Sequence, residues 1–461
     1  MSEDTLQTTG AAVHRWRWAG LAALLTAEAM NLLDTTIVQV AGPAVHTDLG
    51  GRVAAIQWFT AAYTLVFALL LIGGGRLGDR HGRRRIFRLG VAGFGLASLA
   101  CALAPSAGVL IGLRAVQGAF AAAVIPQTFG LIRAMFSGSE LPKALGCIGP
   151  VMGLAAVCGP VLGGVLTQAA SWRWVFLVNV PLTLAVLAVA PLLPEDRAPS
   201  RPRLDPLGTA LALTGSGLVV YPLVQGTWDA SLIAAGLVVL ALFGLHQRRS
   251  ARAGRRPLVE PSLFTGRGFP AALATSVLFF AAMNGLMLAV VLYVQLGLGR
   301  DTITSALTLL PWSAAMGAAS WITGAHLVPR FGARVMHAGL AVMLAGVLAA
   351  IWAFHAHDGY PPPLPAALAL AGLGVGLFTT PFFTTALKPV KAHETGSAAG
   401  LLNAVQQFGG TLGVAVIGSV YQNVARHAAP AAAVQHAFWP AAVLLAGAAL
   451  AAVPLRAGLE R

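Results

Sequence analysis

Residues 27–43 read Ala27-Glu-Ala-Met-Asn-Leu-Leu-Asp-Thr-Thr-Ile-Val-Gln-Val-Ala-Gly-Pro43, inside an apolar run from about Ala19 to Val45. A run of that length and character predicts a membrane-spanning helix. It nevertheless carries two carboxylates, Glu28 and Asp34. On insertion scales each costs about 2.5–3.5 kcal/mol at the centre of a bilayer. At about 100° per residue, Glu28, Asn31, Asp34, Thr35 and Gln39 fall within an arc about 140° wide, with Thr36 outside it. One polar stripe on an otherwise apolar helix predicts the wall of a water-accessible cavity.

Working outward, apolar runs of this kind recur along the whole chain. The 461 residues are 57% hydrophobic and only 10% charged, which specifies an all-α polytopic membrane protein. The runs are continuous and do not alternate, which excludes an outer-membrane barrel. Fourteen spans are expected, at 19–45, 53–74, 86–104, 107–132, 144–167, 174–193, 206–225, 230–246, 269–293, 304–328, 335–354, 364–387, 397–422 and 437–455. Residues 1–18 are polar and the first apolar run lacks a cleavage site, so it is expected to remain as an anchor. Cys101, Cys147 and Cys158 all sit in apolar runs, and neither a disulfide nor a metal site is expected.

The net charge of +14 raises nucleic acid as a partner, but the placement of the charge argues against it. With the N-terminus in the cytoplasm, 25 of the 30 Lys and Arg residues fall in cytoplasmic segments, 4 fall outside and Arg114 alone lies within a span. That is the positive-inside pattern, and it predicts an even number of spans with both termini cytoplasmic.

The chain repeats itself. Gly74, Leu77, Arg80, Gly82 and Arg84 recur 250 residues later as Gly324, Leu327, Arg330, Gly332 and Arg334. The same offset lays Gly146, Gly159 and Gly163 over Gly396, Gly409 and Gly413. The chain therefore reads as a six-helix bundle in 1–200, an inserted two-helix linker in 201–250 and a second six-helix bundle in 251–461. Two repeated halves with ionisable groups at mid-membrane depth suggest a secondary transporter.

Three further stretches carry the chemistry. Gly75-Arg-Leu-Gly78-Asp79-Arg80-His-Gly82-Arg83-Arg84-Arg85 joins spans two and three. Its glycines permit a tight turn, and Asp79 is placed to pair with Arg83 or to meet a neighbouring helix start. It reads as a conformational latch or, more plainly, as a topology signal. Arg114, with Gln117 and Gly118 on its face, needs a partner at mid-span, and Asp34 is the natural counter-charge. A motion alternating burial, which favours the neutral acid, with contact to Arg114, which favours the carboxylate, would load and release a proton at Asp34. Residues 146–164 hold Gly149, Pro150, Gly153, Gly159, Pro160, Gly163 and Gly164, a closely packing and bendable helix read as a sliding interface between the halves. Trp172 and Trp174 read as interfacial anchors. In the second half Asn284, Gln295, Trp312, Asn403, Gln406 and Gln407 are the polar or aromatic points, with Gln295 and Gln406 candidates for the cavity wall.

Taken together, the latch, Leu33-Asp-Thr-Thr-Ile-Val38, Leu113-Arg-Ala-Val-Gln-Gly118, the Gly-Pro helix and Trp172-Arg-Trp-Val-Phe resemble the major facilitator superfamily, specifically its fourteen-span drug:proton antiporter branch. The resemblance implies a major facilitator fold, two bundles rocking about a central cavity, and export of lipophilic compounds driven by inward proton flow. It implies Asp34 and Arg114 as coupling residues. Glu28, Asn31, Thr35, Gln39 and Gln117 would line the substrate path. No cofactor is expected beyond the proton gradient, and the partners are the bilayer, small hydrophobic substrates and protons. A monomer in a bacterial inner membrane is expected. No acid lies within a second-half span, which turns the expectation from dicationic cargo towards monocationic or neutral compounds. An exporter of one endogenous metabolite and a non-transporting receptor are the alternatives; no nucleophile–base pair suggests an enzyme.

Overall fold

In lipid a backbone amide has no partner except another backbone group, so each apolar run must close its own hydrogen bonds as a helix. The computed structural model describes residues 3–138, 140–196, 204–255, 257–357, 359–388, 390 and 395–457, without the side chains of 3–15, 142, 149, 395, 396, 456 and 457. Fourteen long helices follow in the expected order. The first half holds α1 (Glu3–Leu49), α2 (Ala54–His81), α3 (Arg83–Ala102), α4 (Ala107–Met135), α5 (Ile148–Ala169) and α6 (Asn179–Val189). The inserted pair is α7 (Pro206–Val224) and α8 (Ala230–Arg252). The second half holds α9 (Gly268–Leu292), α10 (Thr302–Ile322), α11 (Arg334–Ala356), α12 (Leu364–Leu387), α13 (Thr395–Ala425) and α14 (Pro430–Ala451). Among the described residues 13 helices are long and apolar enough to cross a membrane. The fourteenth, α10, is diluted by its threonines and serines, Pro311 and Trp312.

Several boundaries differ from expectation. The span expected at 144–167 begins at Ile148, because Glu140–Gly146 forms a separate short helix and Cys147 sits at the break. The last span starts earlier than expected, at Pro430, whose fixed φ and missing N–H suit a first helical position. α9 and α10 each end in a π-helical turn, Tyr293–Gly297 and Thr323–Leu327. The expected division near residue 200 lies outside the described residues.

Lipid is as apolar as leucine, so close packing rather than water exclusion must hold the helices together. The glycines do this, and in the same way in both halves. Gly159 and Gly163 lie against Thr36 and Ile37 of α1, where a Cβ at Gly163 would stand 3.0 Å from the Ile37 carbonyl oxygen. Gly409 and Gly413 lie against Val277 and Ala281 of α9, where a Cβ would stand 2.7 and 1.9 Å from the carbonyl oxygens. The repeated turn glycines Gly82 (φ 102°) and Gly332 (φ 57°) both hold left-handed backbone. The repeat in the sequence is thus a repeat in structure.

The inserted pair packs on the outside, where α7 meets α2 of the first half and α13 of the second through Leu65, Val220, Leu223 and Ala415. Gly215 and Gly236 bring α7 and α8 into backbone contact. The rest of α8 exposes Leu237, Val238, Leu242 and Leu245, as a lipid-facing helix requires.

Candidate functional site

A cavity of about 220 Å³ lies between the halves. From the first half it is lined by Glu28, Asn31, Thr35, Thr36 and Gln39 of α1, with Thr64 and Phe67 of α2 and Met152 of α5. From the second half come Phe280, Met283, Asn284 and Met287 of α9, Trp312, Ser313 and Met316 of α10, and Asn403, Gln406 and Gln407 of α13. The α1 stripe therefore forms a cavity wall, with two changes. Thr36 joins it, and Asp34, at the edge of the predicted arc, turns away into the first bundle. Glu28 is only 7% exposed, its Oε1 has no hydrogen-bond partner and it makes no ion pair among the described residues. Gln406 Oε1 and Ser313 Oγ are likewise buried without a partner. The cavity thus combines a buried acid and unsatisfied polar atoms with four methionines, a tryptophan and two phenylalanines.

Two expected lining residues are not there. Gln117 is fully buried beside Asp34, because it shares the inward face of α4 with Arg114. Gln295 sits in the π turn after α9 and donates to the Val40 carbonyl at 2.8 Å. It ties the two halves together instead of facing cargo.

Behind the wall, Asp34 and Arg114 meet as expected. Both are 0% exposed, and Arg114 Nη1 lies 2.5 Å from Asp34 Oδ2. Gln117 Nε2 and Asn179 Nδ2 donate to Asp34 Oδ1 at 3.0 and 2.9 Å, so both carboxylate oxygens accept. Asn179 also donates to Ser98 Oγ at 3.0 Å, and Arg114 Nε donates to the Phe59 carbonyl at 2.9 Å. The guanidinium carbon stands 4.3 Å from the centre of the Tyr63 ring, a cation–π contact. The Tyr63 hydroxyl in turn donates to Asn31 Oδ1. Removing one partner from so buried a pair typically costs about 3–5 kcal/mol, because the other charge is left uncompensated. Sequence reasoning missed Asn179, Ser98 and Tyr63. The one available signal was an asparagine standing alone in the apolar run that begins span six.

The latch at 75–85 forms a half-exposed network. Arg83 reaches Asp79 Oδ1 at 2.9 Å and Asp196 Oδ2 at 2.5 Å, and Arg84 reaches Glu195 Oε2 at 3.0 Å. Asp79 therefore takes the first of its two expected partners. Gly75 lies against Pro126, and Gly78 makes room for Gln127, whose Nε2 donates to the Gly74 carbonyl at 2.9 Å. Arg80 is exposed. These contacts tie α2 and α3 to α4 and to the segment that follows α6, while Arg76 donates to the Pro257 carbonyl at the start of the second half. Half-exposed pairs are worth only about 0–1 kcal/mol each, weak enough to break during a conformational change.

The Gly-Pro helix α5 divides its contacts. Gly159 and Gly163 face α1 in their own half, whereas Gly164 meets Thr302, Ile303 and Ala306 of α10 in the other. Gly153 has open space around it, Pro150 is exposed, Pro160 lies within the helix, and the contacts of Gly149 lie outside the described residues. The expected interface between halves therefore rests on one edge of α5. Trp172 is not an interfacial anchor: it is 4% exposed and donates Nε1 to Asp48 Oδ2 at 2.8 Å, while Trp174 is 50% exposed.

The sequence profile of the Major Facilitator Superfamily matches residues 24–414. The chain belongs to that superfamily. Among its relatives, the "Probable actinorhodin transporter" of Streptomyces coelicolor is 43% identical over 88% of this chain and 72% of its own. The "Puromycin resistance protein pur8" of Streptomyces alboniger is 37% identical over 88% of this chain and 82% of its own. The "Multidrug efflux pump LfrA" of Mycolicibacterium smegmatis is 30% identical over 88% and 81%. A crystal structure of the peptide transporter POT in complex with sulfate shares the fold, with a TM-score of 0.67 at 15% identity over 94% of each chain. A major facilitator protein with fourteen long helices is a multi-pass membrane transporter in its architecture, and the cavity lies where its halves meet.

Proposed function

We propose that the protein is a proton-coupled antiporter that exports hydrophobic, monocationic or neutral compounds from the cytoplasm by alternating access. The observation that carries this reading is the division of labour on α1. Glu28 faces a largely apolar cavity with no counter-charge, while Asp34 is sealed behind the wall against Arg114. An unpaired buried carboxylate favours a cation beside it, and methionine-rich walls adapt to varied shapes. Asp34 is the group we assign to the proton, with Arg114 as the switchable counter-ion. Loading a proton requires that Arg114 first leave the carboxylate, which ties protonation to helix movement. Related proteins named for drug resistance and multidrug efflux support export as the direction.

The basic end, which carries the latch, is read as cytoplasmic, in a bacterial inner membrane, on the distribution of Lys and Arg. At the opposite end the halves are held together by Gln39 to the Asn284 carbonyl at 3.0 Å, Gln295 to the Val40 carbonyl at 2.8 Å and Gln168 to Asp301 at 3.1 Å. On that orientation this conformation is shut to the outside. Loaded cells test the reading with ethidium as cargo: efflux that a protonophore stops supports it. A second reading, dedicated export of one metabolite, draws on the 43% identity to a probable actinorhodin transporter. It predicts that a polycyclic metabolite is exported while ethidium and unrelated dyes are not.

A further inference from the structure

The cavity and the buried ion pair need a physical link if cargo and proton are to exchange, and Asp34 makes no hydrogen bond to any cavity-lining side chain among the described residues. We propose that Tyr63 is the positioning residue that joins the two, through its hydroxyl to Asn31 in the cavity wall and through its ring to Arg114. The proposal rests on the proton-coupled reading above and adds the route by which cargo reaches the pair.

Each step is a named contact. Asn31 lines the cavity and its Oδ1 accepts the Tyr63 hydroxyl hydrogen. Tyr63 is 0% exposed, and its ring face lies 4.3 Å from the Arg114 guanidinium carbon. The guanidinium Nη2 has no hydrogen-bond partner, and two rings face the group, Tyr63 at 4.3 Å and Phe176 at 5.8 Å. Tyr63 is held from the remaining sides by Phe67 and Phe94, at ring-centroid distances of 6.0 and 6.5 Å. Its backbone is locked by Gly118, where a Cβ would stand 2.4 Å from the Tyr63 carbonyl oxygen. The ring therefore has little freedom except a tilt about its own side-chain bonds. The ionisable groups around Asp34 are Arg114 on α4, Tyr63 on α2 and Cys101 on α3, and Glu28 on α1 reaches Tyr63.

The chemistry follows from these contacts. Cargo that hydrogen-bonds or displaces the Asn31 amide removes the acceptor of the Tyr63 hydroxyl. The ring then loses the bond that fixes its tilt, and the cation–π contact that steadies Arg114 changes with it. Arg114 is the cation in contact with Asp34 among the described residues, so cargo binding changes what faces the group assigned to the proton without touching it. The exchange is a single proton moving between Asp34 and water, with no covalent step.

The test uses full-length protein in detergent, with ethidium as the probe. Dye binding and the protons released on binding are measured together from about pH 6 to about pH 9, using a pH indicator in weak buffer. All proteins carry Glu28→Gln, so that no proton comes from the cavity acid that meets the dye; the otherwise unchanged protein is expected to release protons on binding, and Asp34→Asn to release far fewer. Tyr63→Phe keeps the ring over Arg114 and removes only the hydroxyl. It is expected to bind dye within about threefold of the Glu28→Gln background while its proton-release midpoint moves by about one pH unit. Asn31→Leu, which removes the other end of the same bond, is expected to move the midpoint equally, and the double variant no further. Should Tyr63→Phe fail to fold, Asn31→Leu carries the test at saturating dye, with protons counted per dye bound so that its own contact with cargo does not set the result. Tyr63→Phe with the background's midpoint and yield would overturn the Tyr63 proposal and leave the antiporter reading intact. In that Glu28→Gln background, a protein that releases no proton, or Asp34→Asn that releases as many, would overturn the proton assignment itself, and the link falls with it.

Discussion

Glu28 and Asp34 lie six residues apart on one helix and meet opposite surroundings. Glu28 has an oxygen without a partner at the edge of a cavity, whereas Asp34 accepts from Arg114, Gln117 and Asn179. The first arrangement awaits a positive charge and the second already has one. Glu28→Gln should therefore weaken binding of a monocationic dye about tenfold, near 1.4 kcal/mol, and leave a neutral compound of similar shape within about twofold. Equilibrium dye binding checks this, and equal losses for both compounds would make Glu28 structural. Both acids, and Arg114 as a partner, were legible in the sequence because a charge in an apolar run has few innocent explanations. The stripe by itself put both acids on the cavity wall, and only the resemblance separated Glu28 on the substrate path from Asp34 beside Arg114. A helical wheel gives relative angles but not the rotation of the helix in its bundle. That rotation is fixed by Gly159 and Gly163 packing on Thr36 and Ile37, and by Asn179 reaching Asp34 from α6.

At the scale of single helices, the glycines set how near two backbones can come. A Cβ at Gly413 would stand 1.9 Å from the Ala281 carbonyl oxygen, and backbone cannot swing aside as a side chain can. Gly153 has nothing within 4 Å of the same position. Alanine gains about 1 kcal/mol over glycine within a helix by intrinsic preference, so the two substitutions should differ in sign. Gly413→Ala should lower the thermal midpoint of the purified protein, at a cost of about 1–3 kcal/mol for overpacking, and Gly153→Ala should hold or raise it. Thermal denaturation in detergent followed by dye-labelled cysteine exposure measures both; equal midpoints would remove the packing argument. The order of elements was legible, because fourteen apolar runs and a repeat at one offset leave little choice of architecture. The π turns at Tyr293–Gly297 and Thr323–Leu327 were not, since they depend on partners in other helices, as Gln295 shows by reaching Val40. The break at Cys147 was hidden for a related reason: the run stays apolar across it while the backbone changes helix.

Across the whole molecule the two halves meet at several depths, and one contact lies beside the cavity itself. Thr64 and Thr411, one from each half, bring their hydroxyl oxygens to 2.7 Å beside the cavity. If the halves rock, that contact must open once per cycle. A protein carrying Thr64→Cys and Thr411→Cys should stop exporting ethidium when oxidised and recover on reduction, with either single variant unaffected by oxidation. Full transport by the cross-linked protein would exclude separation at this contact. The central claim is that cargo and proton occupy different acids on one helix, and Asp34→Asn in liposomes tests it most directly. Ethidium binding without a gradient is compared with ethidium accumulation driven by an acidic lumen. The account predicts binding within about threefold of wild type, about 0.7 kcal/mol, together with no accumulation above equilibrium. Accumulation at the wild-type rate, or loss of dye binding in Asp34→Asn while Glu28→Gln retains it, would contradict the account.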